Sequence, residues 1–272
     1  MPELPEVQTV TDFIRPYLLN NRILSIRPLN NYTKVFATHS PSDLNILVAH
    51  QKIQRVWRRG KFIVFDLASG HLLLHLRMTG RIQPKVLPND NPKHFTAQIN
   101  LTNGTIIYFK DYRKFGRFYF YKSMDSIEEK LGPEPFSDLF TSQYLVDRLK
   151  TIKRMIKPLL LDQSFIAGIG NIYADEALWM SRIHPEKKSN EISYPKIKNL
   201  HSAIQSVLKR AIEYNGTTII NFTFGEESTG SYHEKLHAFG RQGRPCDRCQ
   251  TNIRKIFVSQ RGSHFCPRCQ RK

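Results

Sequence analysis

The chain of 272 residues lacks any apolar run of about 18 residues, the length that a helix needs to cross a membrane. Its N-terminal segment also lacks a basic stretch followed by an apolar one, so it does not predict a secretory signal. Acidic residues are scarce, with 23 Asp and Glu against 41 Lys and Arg. These absences predict a cytoplasmic protein that neither crosses nor binds a membrane.

The scarcity of acids leaves a formal net charge of +18, which favours a polyanionic partner such as a nucleic acid. Residues 241–272 hold nine basic residues and one acid, Asp247. Further basic clusters lie at 52–61, 110–117 and 148–157. Each cluster taken singly fits a solvated surface, whereas the four together favour a continuous basic groove that binds phosphates.

The apolar pattern of the first half of the chain predicts a helix followed by a β-sandwich or a flattened barrel. The helix runs from Pro5 to about Asn20, although Pro16 counts against its last turn. Short β segments follow from Arg22 to about Lys122, and Asn103-Gly104 is a strong hairpin signal between two of them. The clearest predicted strands are 62–67, 71–77, 95–101, 105–109 and 117–121.

The second half of the chain has a helical pattern, after a Pro- and Gly-containing linker at 131–135. Helices are predicted at 142–150, 152–161, 172–180 and 194–214. The stretch 216–240 is polar and without periodicity, which predicts a functional loop. The expected fold class is α+β and multidomain: an N-terminal helix with a β-sandwich, a helical domain, and a C-terminal zinc β-hairpin.

The cysteines occur only as two C-x2-C pairs separated by sixteen residues, and they are Cys246, Cys249, Cys266 and Cys269. This spacing is typical of a tetrahedral Zn²⁺ site. A pair of disulfides is the alternative, but nothing in the sequence indicates an oxidising compartment. We therefore expect one structural zinc ion that clamps a hairpin with strands at 253–259 and 262–265, with Arg261 near its tip.

The N-terminus, Met1-Pro2-Glu3, is a candidate reactive group. Removal of Met1 would expose the secondary amine of Pro2, and α-amino groups titrate at about pH 8, so part of it is a neutral nucleophile in the cell. Such an amine can attack a sugar C1′ to form an iminium, with Glu3 moving protons. The alternative is that this segment serves only as the start of the first helix.

Eight motifs, in order along nearly the whole chain, together resemble the formamidopyrimidine-DNA glycosylase family, whose members are bacterial 8-oxoguanine glycosylases and AP lyases. Each motif is modest alone, but the set is highly specific. The motifs are PELPEV at 2–7, RRGK at 58–61, HLRMTG at 75–80, DYRKFG at 111–116, LGPEP at 131–135, IKPLLLDQ at 156–163, GIGNIYADE at 168–176 and the four-cysteine finger.

The resemblance implies catalytic roles for four residues. Pro2 matches the Schiff-base nucleophile of the family, and Glu3 matches its acid/base partner. Lys61 matches a lysine that donates a proton during β-elimination. Arg261 matches the zinc-finger arginine that contacts phosphates and is linked to δ-elimination.

The resemblance also implies DNA contacts. Met78, Arg113 and Phe115 match the triad that fills the gap left by a flipped base, although core packing at strand ends is the alternative for Met78 and Phe115. The remaining matches are His94, Lys153, Lys157 and Asn171. Without the family pattern, the histidine fits a surface residue, the lysines fit a solvated helix face, and the asparagine fits a tight turn that caps a helix.

The family pattern divides the chain into a catalytic helix and β-sandwich domain at 1–131 and a helix–two-turns–helix DNA-binding domain at 132–216. A lesion-capping loop follows at 217–240, and the zinc-finger hairpin occupies 241–272. Two departures from the family lie in or beside the loop: Phe239 replaces a tyrosine, and His233 stands where a glutamine is expected. The implied location is the bacterial cytoplasm, in association with the nucleoid.

The resulting hypothesis is a monomeric enzyme of base-excision repair that acts on damaged double-stranded DNA. It would excise oxidised purines through a Schiff base with Pro2 and cleave the strand by β,δ-elimination. An endonuclease VIII-like enzyme for oxidised pyrimidines is the first alternative, although the PELPEV start argues against it. A non-catalytic zinc-ribbon nucleic-acid-binding protein is the second, but it gives no reason for Pro2, Glu3 and Lys61 to occur together.

Overall fold

The computed structural model describes residues 1–217 and 229–272, which pack into two compact units. The first unit is Met1–Glu129 with the described residues of Asn215–Gly230, and the second is Lys130–Tyr214 with Ser231–Lys272. Part of the predicted functional loop, residues 218–228, lies outside the described residues. Across the described ranges, no helix combines the length and the apolar character needed to span a bilayer.

The first unit is built on two antiparallel four-stranded sheets, which confirms the predicted β-sandwich. One sheet has the strand order β1-β6-β7-β5 and the other the order β2-β3-β4-β8, with these bounds: β1 Ile23–Pro28, β2 Arg55–Arg59, β3 Phe62–Leu67, β4 Gly70–His75, β5 Arg81–Gln83, β6 Phe95–Leu101, β7 Ile106–Lys110 and β8 Arg117–Tyr121. The helices of this unit are α1 Leu4–Leu18, α2 Pro41–Val48 and α3 Asp125–Glu128.

A single hydrophobic core joins α1 to both sheets. Val10 and Ile14 on one face of α1 belong to the same buried cluster as Phe65 of β3 and Phe109 of β7. The helical spacing of apolar residues on α1 thus matches the alternating inward side chains of the strands. This packing fixes the position of the N-terminal residues against the sandwich.

Three details of the first unit differ from the sequence-based prediction. Helix α1 continues through Pro16 to Leu18, because a proline in the last turn removes a single hydrogen bond. Strand β4 ends at His75 rather than at 77, since Arg77 has a left-handed backbone with φ 54° and turns the chain away. Helix α2 was not predicted, although Ser40 accepts a capping hydrogen bond from the Asp43 amide at 3.2 Å.

The second unit contains four helices and the predicted hairpin: α4 Ser142–Thr151, α5 Ile156–Leu161, α6 Asn171–Met180, α7 Tyr194–Glu213, β9 Arg254–Val258 and β10 Arg261–Phe265. Helix α5 begins four residues later than predicted, because Met155 is extended, with ψ 140°. The predicted linker packs into this unit, since the Gly132 amide donates to the Gln163 carbonyl at 2.8 Å.

Candidate active site and nucleic-acid interface

The N-terminus is held by a reciprocal pair of hydrogen bonds at the start of α1. The Glu3 amide donates to Glu6 Oε2 at 2.8 Å, and the Glu3 side chain accepts from the Glu6 amide. Both glutamates are buried. This capping box fixes the backbone immediately after Pro2 and places a carboxylate next to it.

The second oxygen of Glu6 reaches the end of the first described range. Glu6 Oε1 accepts from the Thr217 amide at 2.8 Å. Gly216 permits this approach, because its φ is +80° and a Cβ there would lie 2.8 Å from Glu6 Oε1. One carboxylate therefore connects the N-terminal turn with the chain that leads into the region of the predicted capping loop.

Lys61 lies in the two-residue turn of the β2–β3 hairpin, where Arg59 pairs with Phe62. Its side chain is 5% exposed. Helix α1 is tied to β2 by the bond from Arg58 Nε to Gln8 Oε1, at 3.0 Å. The packing of α1 on β2 thus places Pro2, Glu3 and Lys61 on neighbouring elements of one unit.

His75 is a member of this neighbourhood that the sequence analysis did not single out. Burial lowers the pKa of His75 from 6.5 to about 3, with smaller contributions from the charges of Arg77 and Lys61. Its Nδ1 accepts from the Arg77 amide at 3.0 Å, so the proton of the neutral ring is on Nε2. The ring therefore offers an N–H donor while adding no charge beside Lys61.

Met78, Arg113 and Phe115 converge at one exposed tip of the sandwich. Arg113 Nη1 lies 3.1 Å from Met78 Sδ, and its guanidinium carbon lies 4.9 Å from the centre of the Phe115 ring. Met78 is 44% exposed and Phe115 is 46% exposed, so core packing does not explain them. The tip presents a flexible thioether, an aromatic ring and a cation together.

His94 lies beside this tip. Its ring centre is 6.2 Å from that of Tyr112, and its carbonyl accepts from the Asp111 amide at 2.8 Å. The half-buried ring contacts the same turn that carries Arg113. The first unit thus brings His94 close to the predicted gap-filling triad.

Lys157, predicted as a DNA-binding residue, is fully buried, so the alternative of a solvated helix face is wrong. Lys157 Nζ lies 2.6 Å from Asp175 Oδ1 and donates to the Gly262 carbonyl at 2.8 Å. Asp175 Oδ2 accepts from the His264 amide at 2.8 Å. The pair joins α5 and α6 to β10. Lys153, in contrast, is exposed in the segment before α5.

Asn171 is the first residue of α6 and contacts the same carbonyl of the hairpin. Its Nδ2 donates to the Gly262 carbonyl at 3.1 Å, and its buried Oδ1 has no hydrogen-bond partner in the part of the chain that the structure describes. Arg261 precedes Gly262 and is exposed. Two side chains therefore hold the backbone next to Arg261.

The four cysteines converge as the spacing predicts. Their Sγ atoms all lie within 4.8 Å of one another. Cys249 Sγ and Cys266 Sγ are 3.4 Å apart, well beyond the ~2.05 Å of a disulfide bond. Four converging thiols in this arrangement fit a tetrahedral zinc ion, which confirms the predicted structural zinc site.

Glu176 anchors the segment that leads into the zinc hairpin. Its carboxylate accepts from the amides of His237, Ala238 and Phe239, each at 2.8 Å. Burial raises the pKa of Glu176, and the three amides oppose that shift. The Phe239 ring lies 5.1 Å from the His264 ring centre in an edge-on contact, so this departure from the family is accommodated as an aromatic contact.

The sequence analysis missed three supporting residues: Asp175, Glu176 and His75. Asp175 and Glu176 lie within the GIGNIYADE motif, and two consecutive acids on an otherwise apolar helix are a signal that could have identified them. His75 lies in HLRMTG, where its position at the end of a buried strand was the available signal.

Comparison with protein families gives matches along most of the chain. The family described as the formamidopyrimidine-DNA glycosylase N-terminal domain matches residues 1–118. The formamidopyrimidine-DNA glycosylase H2TH domain matches 131–223, and a zinc finger found in FPG and IleRS matches 243–271.

Full-length relatives agree with these matches. The formamidopyrimidine-DNA glycosylase of Herpetosiphon aurantiacus is 42% identical, over 99% of this chain and 100% of the relative. A structure of MutM with DNA containing carbocyclic 8-oxo-G is 35% identical, with a TM-score of 0.89 and full coverage of both chains. A structure of the wild-type FPG of Lactococcus lactis with DNA containing an oxidised pyrimidine is 35% identical, with a TM-score of 0.88 and full coverage of both chains. The chain therefore belongs to the formamidopyrimidine-DNA glycosylase family.

Proposed function

We propose that this chain is a DNA glycosylase and AP lyase of base-excision repair, which removes oxidised purines from double-stranded DNA. The observation that carries the proposal is the reciprocal Glu3–Glu6 hydrogen bonding, which fixes the backbone at Pro2 and holds a carboxylate beside it. A non-catalytic DNA-binding protein, by comparison, gives no reason for Pro2, Glu3 and Lys61 to occur together.

In the first chemical step, the Pro2 nitrogen, exposed by removal of Met1, bonds to the sugar C1′. The bond from C1′ to the base breaks, and the base leaves with a proton. Glu3 gives a proton to O4′ as the C1′–O4′ bond opens, which leaves an iminium between Pro2 and the sugar. The buried carboxylate of Glu3 is the proton carrier nearest to Pro2 in sequence.

Strand cleavage follows from the iminium, because it acidifies the C2′ proton. Loss of that proton expels the 3′-phosphate, and loss of the C4′ proton then expels the 5′-phosphate. Lys61 donates protons at the sugar, and Arg261 neutralises the departing phosphate. Water hydrolyses the remaining iminium and regenerates the Pro2 amine.

Flipping of the damaged base leaves a gap in the stack and an unpaired partner base. We assign Met78 and Phe115 to the gap and Arg113 to the partner base, with His94 beside them. Their convergence at an exposed tip supports this assignment.

Phosphates are bound by exposed or donor-bearing groups. Arg261 and Lys153 are exposed, and the Nε2–H of His75 can donate to a phosphate beside Lys61. Asn171 lies at the start of α6, where the positive end of the helix dipole favours an anion. Lys157 acts indirectly, since its buried ammonium holds the carbonyl next to Arg261.

Zinc, when bound to Cys246, Cys249, Cys266 and Cys269, cross-links the base of the hairpin and has no part in the reaction. The four segments 1–131, 132–216, 217–240 and 241–272 would serve catalysis, DNA binding, lesion capping and phosphate contact. We place the protein, as a monomer, with the bacterial nucleoid in the cytoplasm.

Oxidised pyrimidines are a second candidate substrate class, because one relative of known structure is in complex with DNA that contains one. The test is borohydride trapping on a panel of duplexes that carry 8-oxoguanine opposite cytosine, thymine glycol, or no damage. We expect a covalent adduct with 8-oxoguanine that disappears when a tag blocks Pro2. Absence of any adduct with the native N-terminus would falsify the proposal, and a stronger adduct with thymine glycol would favour the second class.

A further inference from the structure

Asp111 is a fully buried carboxylate that connects the two loops carrying the gap-filling triad. The first loop, 76–80, carries Met78, and the second, 111–116, carries Arg113 and Phe115. Asp111 Oδ1 accepts from the hydroxyl of Thr79, the residue next to Met78. Neither Asp111 nor Thr79 belongs to the motif positions assigned a role so far.

The same carboxylate organises its own loop. Asp111 Oδ1 accepts from the Arg113 amide at 3.2 Å, and Oδ2 accepts from the Gly116 amide at 2.7 Å. The amides that follow Tyr112 and Phe115 are thereby fixed to one buried group. One buried carboxylate therefore accepts three hydrogen bonds that connect the two loops.

Both loops pack closely on the same aromatic ring. A Cβ at Gly80 would lie 2.8 Å from the Phe109 ring, and one at Gly116 would lie 2.3 Å from it. Phe109 thus sits between the two loops, each of which turns at a left-handed basic residue, Arg77 with φ 54° and Lys114 with φ 56°. Both loops are held in strained turns by a common base.

We propose that Asp111 and Thr79 are positioning residues, which fix the position of Met78 relative to Arg113 and Phe115. Through this position they determine how strictly the enzyme selects the base opposite the lesion. This inference rests on the proposed function. The Thr79–Asp111 bond joins the loops at their base, and the contact of Arg113 with Met78 joins them at the tip. Loss of the lower connection would let Met78 and Arg113 move independently.

The decisive variant is Thr79→Val, which removes the hydroxyl and keeps the shape, with Thr79→Ser as the matched control that keeps it. Single-turnover rates are measured on 8-oxoguanine opposite cytosine, on 8-oxoguanine opposite adenine, and on a preformed abasic site. We expect Thr79→Val to slow excision opposite cytosine roughly tenfold or more, because small misplacements at a reacting complex have effects of that size. The rate of cleavage at the abasic site should change little. The ratio of the excision rate opposite cytosine to the rate opposite adenine should decrease.

Asp111→Asn should give the same pattern. The donors to Asp111 are the Thr79 hydroxyl and the amides of Arg113 and Gly116, and the new amide nitrogen cannot accept the hydrogen bond of the donor it faces. Asp90→Asn is the control for a merely structural effect: Asp90 also accepts hydrogen bonds in this sandwich, from Leu87, Gln83 and Lys110, and none of these three residues lies in either loop. An equal fall of Thr79→Val on all three substrates, or unchanged opposite-base selectivity, would overturn the inference. Failure of the wild-type protein to trap on abasic DNA would instead overturn the proposed function.

Discussion

Lys157 Nζ lies 2.6 Å from Asp175 Oδ1, and neither side chain exposes any surface to solvent. The ammonium also donates to the Gly262 carbonyl, which Asn171 contacts from α6. A charge that the sequence alone would place in a DNA-binding surface therefore stabilises the interior of the second unit. Its contribution can be measured separately from DNA binding.

Lys157→Met should lower the free energy of unfolding by about 3–5 kcal/mol, because it leaves the Asp175 carboxylate buried without its cation. Urea unfolding of the full chain measures this change. Lys153→Met, at an exposed position, should change stability by no more than about 0.5 kcal/mol. The double variant Lys157→Met with Asp175→Leu should recover much of the lost free energy of unfolding. Equal stability of Lys157→Met and Lys153→Met would contradict the prediction.

His75 makes stability depend on pH. Its pKa is about 3 in the folded protein, against 6.5 for an unperturbed histidine, so between these values the unfolded chain binds a proton that the folded protein does not. Stability therefore falls as the pH drops from 6.5 towards 3. We expect His75 to account for a loss of about 2 kcal/mol between pH 7 and pH 5.

His75→Asn, which cannot titrate, should lose correspondingly less stability over the same interval. Denaturant unfolding at the two pH values measures the difference. A ring resonance of His75 that titrates near pH 6.5 would contradict the assignment of a neutral imidazole.

Zinc removal should unfold the hairpin and leave the sandwich intact. A chelator is expected to release one zinc ion per chain, as four converging thiols require. Because Arg261 stands on the hairpin, DNA affinity should fall with the metal, while a tryptophan signal from Trp57 in the sandwich should persist. Cys249→Ser is the matched variant, and full DNA affinity in the zinc-free protein would refute this dependence.

Arg261→Ala should weaken DNA binding and reduce the slope of log affinity against log salt by about 1, the effect of losing one phosphate contact. Lys209→Ala, on the exposed face of α7 and outside the four basic clusters, is the control that should leave the slope unchanged. Fluorescence anisotropy with a duplex at several salt concentrations gives both slopes. An unchanged slope for Arg261→Ala would remove this residue from the phosphate contacts.

Features that depend on local sequence were predicted well. Strand β3 and the cysteine module have signals that lie within a few residues, and the structure places both as expected. Helix α2 could have been predicted in the same way, because Ser40, Pro41 and Asp43 form a recognisable signal for the start of a helix.

Features that depend on distant partners were not predicted. The burial of Lys157 results from a hairpin carbonyl 105 residues away, and no local pattern separates it from the exposed Lys153. The function of Asp111 likewise depends on Thr79, 32 residues earlier. Periodicity identifies which face of an element is buried, but it does not identify the buried charge that an incoming loop will satisfy.

The two carboxylate oxygens of Glu6 couple the start of α1 to the chain at Thr217. One accepts from the Glu3 amide and the other from the Thr217 amide, so the turn that follows Pro2 and the chain at Thr217 share one acceptor. Coupling between two such sites is reciprocal. An interaction that stabilises the position of Thr217 also stabilises the backbone at Pro2, and the reverse holds to the same degree. A displacement of the chain at Thr217 would therefore disturb the same carboxylate that holds the start of α1.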